Sequence, residues 1–375
     1  MSLINNFRIV IVLPNLCGGG AERLHVNLAN DWVAQGFDVE FILLRKEGEL
    51  ISLLAPQIAV TTLNVDRIRR VIFPLAARLR KDPPQVLLAA MWPLTSAVVF
   101  AWILSRRKGK LFLSDHENLT ASYIVQGREK PFFLQALIRF CYPLASGVIS
   151  VSLGVKKDLC ELGNLPDSLV RVIYNPAATG VSLDRETPNE QVQLWGADFD
   201  RRILTVGRLT PQKDHETLIR AFKLLPKELN AKLVILGEGP LRLKLEALVN
   251  QLKIEDCVSL PGFVLDPYPW FRSADVFVLA SLWEGFGNVI VEALECGLPV
   301  ISTDCPSGPS EILEDGHYGK LVPIKDPQAL ARAIEESLKE SHDSEALMRH
   351  AKNFSVRKIS DEYLAYFFPK LDLSR

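Results

Sequence analysis

The feature of this sequence that most constrains its fold is an alternation. Short aliphatic and β-branched runs take turns with helix-length amphipathic stretches: RIVIVLP, GGGAERLHVNLANDWVAQG, VEFILL, and later VLLAAM, KLFLSDH and GVISVS. After the polar stretch IYNPAATGVSLDRETPNEQ, which holds Pro176 and Pro188, the pattern restarts with RRILTVGRL, ETLIRAFKLL, AKLVILGEG, PLRLKLEALVNQL, CVSLPGF, DVFVLAS, GNVIVEALECG and PVISTD. Strands that read as continuous apolar runs, separated by helices, build parallel sheets covered on both faces. The expected fold class is α/β, with two Rossmann-like doubly wound domains at 1–178 and 199–355 joined by a linker at 179–198. The closing helix VRKISDEYLAYFFPKL, within 356–375, crowds its aromatic positions and is expected to pack back on the first domain. At 375 residues the chain can give each domain its own core.

A hydrophobic content of 48%, a charged content of 23% and a mean hydropathy of +0.13 exclude a disordered or fibrous chain. The net charge of -1 argues against a nucleic-acid partner held through overall basicity. That total hides an asymmetry: residues 1–178 carry 20 basic and 14 acidic side chains, and 179–375 carry 23 and 30. The basic excess is densest between Asp66 and Lys110, where Arg67, Arg69, Arg70, Arg78, Arg80, Lys81, Arg106, Arg107, Lys108 and Lys110 meet two acidic residues. Within it, RIRRVIFPLAARLRK interleaves apolar and basic positions, a pattern shared by segments lying on anionic lipid and by ordinary solvated helix faces.

Pro83 to Ser105 carries no charge, and VLLAAMWPLTSAVVFAWILS has the ~20-residue length of a bilayer span. Pro93 divides it into a six-residue run and a helix-length segment, so a buried strand, a turn and a buried helix are expected instead. The six cysteines contain no C-x-x-C pair and several sit in apolar runs, which is expected of core thiols in a reducing cytosol without zinc or disulfides. The N-terminus lacks a basic region followed by a long apolar stretch and reads as a first strand, not a signal peptide.

Three motifs carry chemistry. In LPNLCGGGAERL, Gly18, Gly19 and Gly20 lie between a strand and a helix, where bare amides and the helix dipole suit an anion; a plain tight turn would look the same. It is not G-x-G-x-x-G, and Arg45 and Lys46 follow the second strand where a dinucleotide ribose would need an acid. In VGRLTPQKD, Arg208 and Lys213 lie on a short loop at the carboxyl end of a strand, as suits a diphosphate and also an ordinary solvated loop. In SLWEGFGNVIVEALECGLPVISTD, Glu284 follows a buried strand on a Gly-rich turn, and Glu292 lies eight residues on, in a helix starting near Asn288. A carboxylate in an apolar stripe is costly to bury unless it accepts hydrogen bonds, and vicinal ribose hydroxyls are fitting donors.

Taken together, GGGAER, VGRLTPQKD, LGEGP, LPGF, the E-x7-E block and CPSGPSEIL resemble the retaining glycosyltransferases of family 4, of the GT-B fold, over nearly the whole chain. GGAER and CPSGPSEIL resemble bacterial members that build lipid-linked oligosaccharides and surface polysaccharides. The resemblance implies two domains facing across a cleft and a nucleotide-sugar donor, UDP favoured. It implies that Arg208 and Lys213 neutralise the donor diphosphate, that Glu292 binds the ribose, and that Glu284 contacts the transferred sugar near the reacting carbon. Gly285, Phe286, Gly287, Asn288 and Val289 would hold sugar and phosphate, and Gly262, Phe263 and Val264 would border the base. Gly19 and Gly20 match a loop that closes over diphosphate and acceptor, and His116 in SDHEN matches the active-site histidine region, where a hydrogen-bonded loop histidine is the alternative.

The implied reaction needs no metal or other cofactor, and DFD at 198–200 lies at the linker and not at a strand's carboxyl end. The acceptor is expected to be a lipid-linked or other saccharide, and the protein cytoplasmic, peripheral on an anionic membrane surface. Two rivals share the nucleotide-sugar site: a nucleotide-sugar 2-epimerase, and a catalytically silent binding subunit. Nothing in the sequence sets an oligomeric state.

Overall fold

The computed structural model describes residues 7–125, 132–180, 188–196 and 198–371. The chain divides into two compact units, Met1–Pro176 with Val356–Arg375, and Ala177–Ser355.

The first unit is built on seven parallel strands: β1 (Arg8–Leu13), β2 (Asp38–Leu43), β3 (Ala59–Thr62), β4 (Val86–Ala90), β5 (Lys110–Asp115), β6 (Gly147–Ser150) and β7 (Val170–Val172). They lie in the order β3-β2-β1-β4-β5-β6-β7, so the winding reverses between β1 and β4. Central strands are buried on both faces, which is why RIVIVL and VLLAA show no polar alternation. The uncharged stretch resolves as expected into β4, a turn with a cis Trp92–Pro93 peptide, and the largely buried helix Leu94–Leu104. Among the described residues no helix is long and apolar enough to cross a membrane.

One charge is taken inside. Glu40 of β2 is buried and accepts from Arg8, from Arg78 at 3.0 Å and from Thr61 Oγ1 at 2.6 Å. Breaking such a group by removing one partner leaves an uncompensated charge.

The helix Val356–Phe367 belongs to this first unit and packs on the helix Gly20–Ala34. Trp32 meets Tyr363 and Phe367 at ring-centroid distances of 6.1 and 5.7 Å, and Phe367 meets Phe112 at 4.6 Å. Residues 372–375 lie outside the described residues.

The second unit has six parallel strands: β8 (Arg201–Val206), β9 (Ala231–Leu236), β10 (Val258–Gly262), β11 (Val276–Leu279), β12 (Val300–Thr303) and β13 (Lys320–Val322). Their order is β10-β9-β8-β11-β12-β13, reversing between β8 and β11. Here the domain boundaries differ from expectation. Part of the stretch assigned to a linker is a helix, Pro188–Trp195. Trp195 is fully buried, stacks edge-on against Trp270 at 5.3 Å and donates its indole N–H to Ser273 Oγ at 2.9 Å. Ala177 and Ala178 also fall in the second unit, because the Ala178 amide donates to Phe354 O at 3.1 Å. Residues 181–187 and 197 lie outside the described residues.

Candidate functional site

In open α/β sheets the carboxyl ends of the strands form a crevice where the winding reverses. In the second unit that place is between β8 and β11, which pair directly through Val276 with Ile203 and Phe277 with Leu204. The two loops leaving these strands carry the charged residues singled out in the sequence.

After β8, a single turn Pro211–Lys213 ends at Lys213. Asp214 then caps the helix His215–Lys223, accepting from Thr217 Oγ1 at 2.6 Å. After β11, the chain runs through Ser281 to Glu284. The Lys213 ammonium donates to Glu284 Oε1, and Ser281 Oγ donates to the same oxygen at 2.6 Å. Both loops are laced by backbone: Leu282 N–H to Gln212 O at 2.8 Å, and the Gln212 side-chain amide to Trp283 O at 3.0 Å. Thr303 Oγ1 closes the group by donating to Ser281 O at 2.6 Å. Glu284 is only 5% exposed, so its carboxylate is held in place by these donors and not by water. Arg208 stands exposed at the mouth of the same loop. Burial, then the neighbouring Lys213, pushes His215 down to about 4, so its ring stays neutral beside the ammonium.

Gly285, Phe286 and Gly287 form the turn into the helix Asn288–Glu295. Gly287 caps that helix at φ 107°, a conformation open to glycine. Gly308, in CPSGPSEIL, has φ 96°, and a Cβ there would run into the Phe286 carbonyl. That close approach is why this segment and the Gly-rich turn form one surface. Asn288 and Val289 supply the first turn of the helix, and Glu292 lies buried on its second. Tyr268 sits beside it: burial, then the charges of Glu292 and Glu295, push its phenol up. Gly262 ends β10, two strands from β8, and Phe263 and Val264 follow it, with Phe263 52% exposed. Among the described residues no group of three or more His, Cys, Asp or Glu converges where a metal ion could sit.

Gly19, Gly20 and His116 stand in the first unit. Gly19 caps the helix Gly20–Ala34 after β1, and a Cβ on it would meet the Glu22 carboxylate. The glycine turn therefore carries an acidic side chain of its own against it. His116 follows β5, its Nε2 pairing with Ser114 Oγ at 2.9 Å and its ring meeting His25 edge-on at 5.2 Å. Burial and the neighbouring His25 hold His116 well below the usual imidazole range. His25 donates Nδ1–H to Ala21 O at 2.7 Å, and burial pushes it down to about 4. Both rings are neutral hydrogen-bonding groups near pH 7.

Sequence reasoning missed Ser281, His25, Tyr268 and Asp115. Only Ser281 offered a signal, standing three residues before Glu284. Asp115, next to His116, is buried and accepts from Tyr142 at 2.7 Å. Burial, with Asp158 and Glu117 nearby, pushes its carboxyl up from 3.8 to about 7. A folded value above the unfolded one means its contribution to stability is complete below about pH 4 and is lost as pH rises through about 7. Asp115→Asn, which keeps the Tyr142 acceptor without the charge, is expected to melt higher than the parent above about pH 7 and to flatten this slope. Parallel pH series of thermal melts check it; identical slopes would remove Asp115 as the cause.

Comparison with known proteins gives two family matches, "Glycosyl transferases group 1" over residues 190–354 and "Glycosyltransferase Family 4" over 18–180. A 4-alpha-N-acetylgalactosaminyltransferase from Campylobacter jejuni, named for an N-acetylgalactosamine-N,N'-diacetylbacillosaminyl-diphospho-undecaprenol substrate, is 34% identical over 235 residues, 61% of this chain and 62% of that protein. The chain thus matches less than two thirds of that relative's length. A second Campylobacter jejuni protein, an alpha-1,4-N-acetyl-D-galactosaminyltransferase named for a PP-undecaprenol substrate, is 28% identical over 95% of this chain and 97% of its own. The lipopolysaccharide core biosynthesis glycosyltransferase LpsE of Rhizobium meliloti is 27% identical over 92% and 95%. Among solved structures, Anabaena HepE in complex with UDP and glucose superposes with a TM-score of 0.79 at 21% identity, covering 98% of this chain and 100% of that one.

Proposed function

The chain belongs to the glycosyltransferases of family 4, with the GT-B fold, and from that premise we propose that it transfers a sugar from a UDP-sugar to a lipid-linked saccharide in polysaccharide or glycan assembly. We infer retention of anomeric configuration and no metal requirement. The observation that carries the reading is the Lys213–Glu284–Ser281 group at the reversal between β8 and β11. The undecaprenol in the relatives' names supports a lipid-linked acceptor, and the UDP complex of the structural neighbour supports the nucleotide.

The mechanism follows from charge. Breaking the sugar C1–O bond puts positive charge on the ring and negative charge on the departing diphosphate. Cations fixed where the negative charge develops stabilise that separation, more so where water is excluded. Lys213 and Arg208 take this role. A bound diphosphate competes with Glu284 for the Lys213 ammonium, which leaves the glutamate facing the sugar while Ser281 still holds it. The Gly287–Val289 amides at the helix start receive phosphate or sugar oxygens. Glu292 accepts the ribose hydroxyls, and the half-exposed Phe263 ring borders the base. In the first unit, Gly19, Gly20 and the neutral His116 are assigned to the acceptor, with His116 donating or accepting a hydrogen bond without titrating.

A thermal-shift series with UDP and GDP tests the donor: UDP is expected to raise the melting temperature, and no response to any nucleoside diphosphate would overturn the reading. Ser281→Ala removes the hydroxyl that orients Glu284. It is expected to lower kcat by about tenfold to a hundredfold with little change in KM, and Ser281→Thr should restore part of it. Steady-state kinetics decides, and an unchanged kcat would remove Ser281 from the site.

A further inference from the structure

We propose that Tyr363 and Ser114 fix His116 as the tautomer protonated at Nδ1, so that this half-buried ring offers the reaction a hydrogen-bond donor and no base. The bearing of this on catalysis rests on the assignment of His116 to the acceptor. Its evidence is a set of buried polar atoms within the first unit. Ser114, on β5, and Tyr363, on the helix Val356–Phe367, are both fully buried. Ser114 Oγ and His116 Nε2 lie 2.9 Å apart. Among the described residues the Tyr363 hydroxyl makes no direct hydrogen bond, and Ser114 is the hydrogen-bonding group beside it. His116 Nδ1 and His25 Nε2 are likewise buried without a hydrogen-bond partner there, on rings that meet edge-on at 5.2 Å. At the far end His25 Nδ1 pairs with Ala21 O at 2.7 Å, one residue beyond Gly20.

Counting protons sets the order. A main-chain carbonyl only accepts, so His25 donates through Nδ1 and its Nε2 is a bare lone pair. A phenol O–H shut away from water is costly to leave unpaired, and Ser114 Oγ is the acceptor beside it. Ser114 then has one proton to give and His116 Nε2 at 2.9 Å to receive it, which leaves the His116 proton on Nδ1. Were Ser114 instead to accept from both neighbours, its own proton would be the one without an acceptor. The favoured order also makes the two orphan ring atoms complementary, an N–H on His116 and a lone pair on His25. Burial lowers both histidines, so each keeps a single proton whose place its neighbours decide. Ser114 and Tyr363 are therefore positioning residues, acting through His116 from inside the core.

Long-range nitrogen–proton correlation spectra of the full chain, isotope-labelled in histidine, read which ring nitrogen carries the proton, and His116→Gln identifies the His116 signals by their loss. The parent is expected to show Nδ1–H at both His116 and His25. Tyr363→Phe keeps the ring and removes only the hydroxyl. It is expected to move His116 toward the Nε2–H form and to lower kcat at least about tenfold with the KM for the UDP-sugar unchanged. Ser114→Ala should do the same, and Ser114→Thr, which keeps a hydroxyl, should restore the parental tautomer. An Nε2–H form of His116 in the parent, or a Tyr363→Phe spectrum identical to the parent's, would overturn the proposal. Tautomers that shift as expected while kcat stays at the parental value would instead strike the assignment of His116 to the acceptor and leave the proton order standing.

Discussion

Lys213→Ala is expected to lower turnover by about 10³-fold or more, because it removes a cation from the place where the leaving diphosphate gathers charge. The structure adds a second consequence. Glu284 is buried, and Lys213 and Ser281 are its donors. Without the ammonium its carboxylate is left nearly dry beside one hydroxyl, at a cost of about 3 kcal/mol or more if it stays ionised. The variant is therefore expected to melt lower than the parent as well as to lose activity. Lys213→Ala combined with Glu284→Gln separates the two effects: it should regain most of the lost stability, since no buried charge remains, and none of the turnover. Kinetics and thermal melts on the single and double variants check both. A near-parental rate in Lys213→Ala would remove Lys213 from the diphosphate site.

Phe367→Ala is expected to destabilise the first unit by about 3–5 kcal/mol. Phe367 is fully buried and its ring touches Trp32, Phe112, Tyr363 and Phe368, so truncation opens a cavity among side chains that cannot all collapse into it. For a unit of this size that loss lowers the melting temperature by roughly 10 °C. Calorimetry measures it. A change within the scatter of the parent would mean that the closing helix adds little to the core, against its packing on Gly20–Ala34.

How far these features could be read in advance depends on how local their causes are. The strand–helix alternation was legible because burial on both sheet faces acts on every residue of a strand, as in β4, and Pro93 marked the turn. The pair Arg208 and Lys213 and the pair Glu284 and Glu292 could be singled out as candidates because each pair falls within one short stretch of sequence, a loop or a turn with the helix that follows it. That β8 and β11 are neighbours, which brings Lys213 to Glu284 across 71 residues, is a consequence of topology. The helix Pro188–Trp195 was hidden because it is short, its Val192 is exposed, and Trp195 anchors it. The role of Arg78 among the ten basic residues was hidden because its partner Glu40 lies on β2, 38 residues away. His25 meets His116, and Tyr142 meets Asp115, only once the sheet is assembled.

The most direct measurement of the central claim is nuclear magnetic resonance of the product formed from a UDP-sugar and a lipid-linked saccharide acceptor. The account predicts a new glycosidic bond whose anomeric configuration is that of the donor, formed without added metal. An inverted linkage, an epimerised donor with no transfer, or donor binding with neither transfer nor hydrolysis would contradict it.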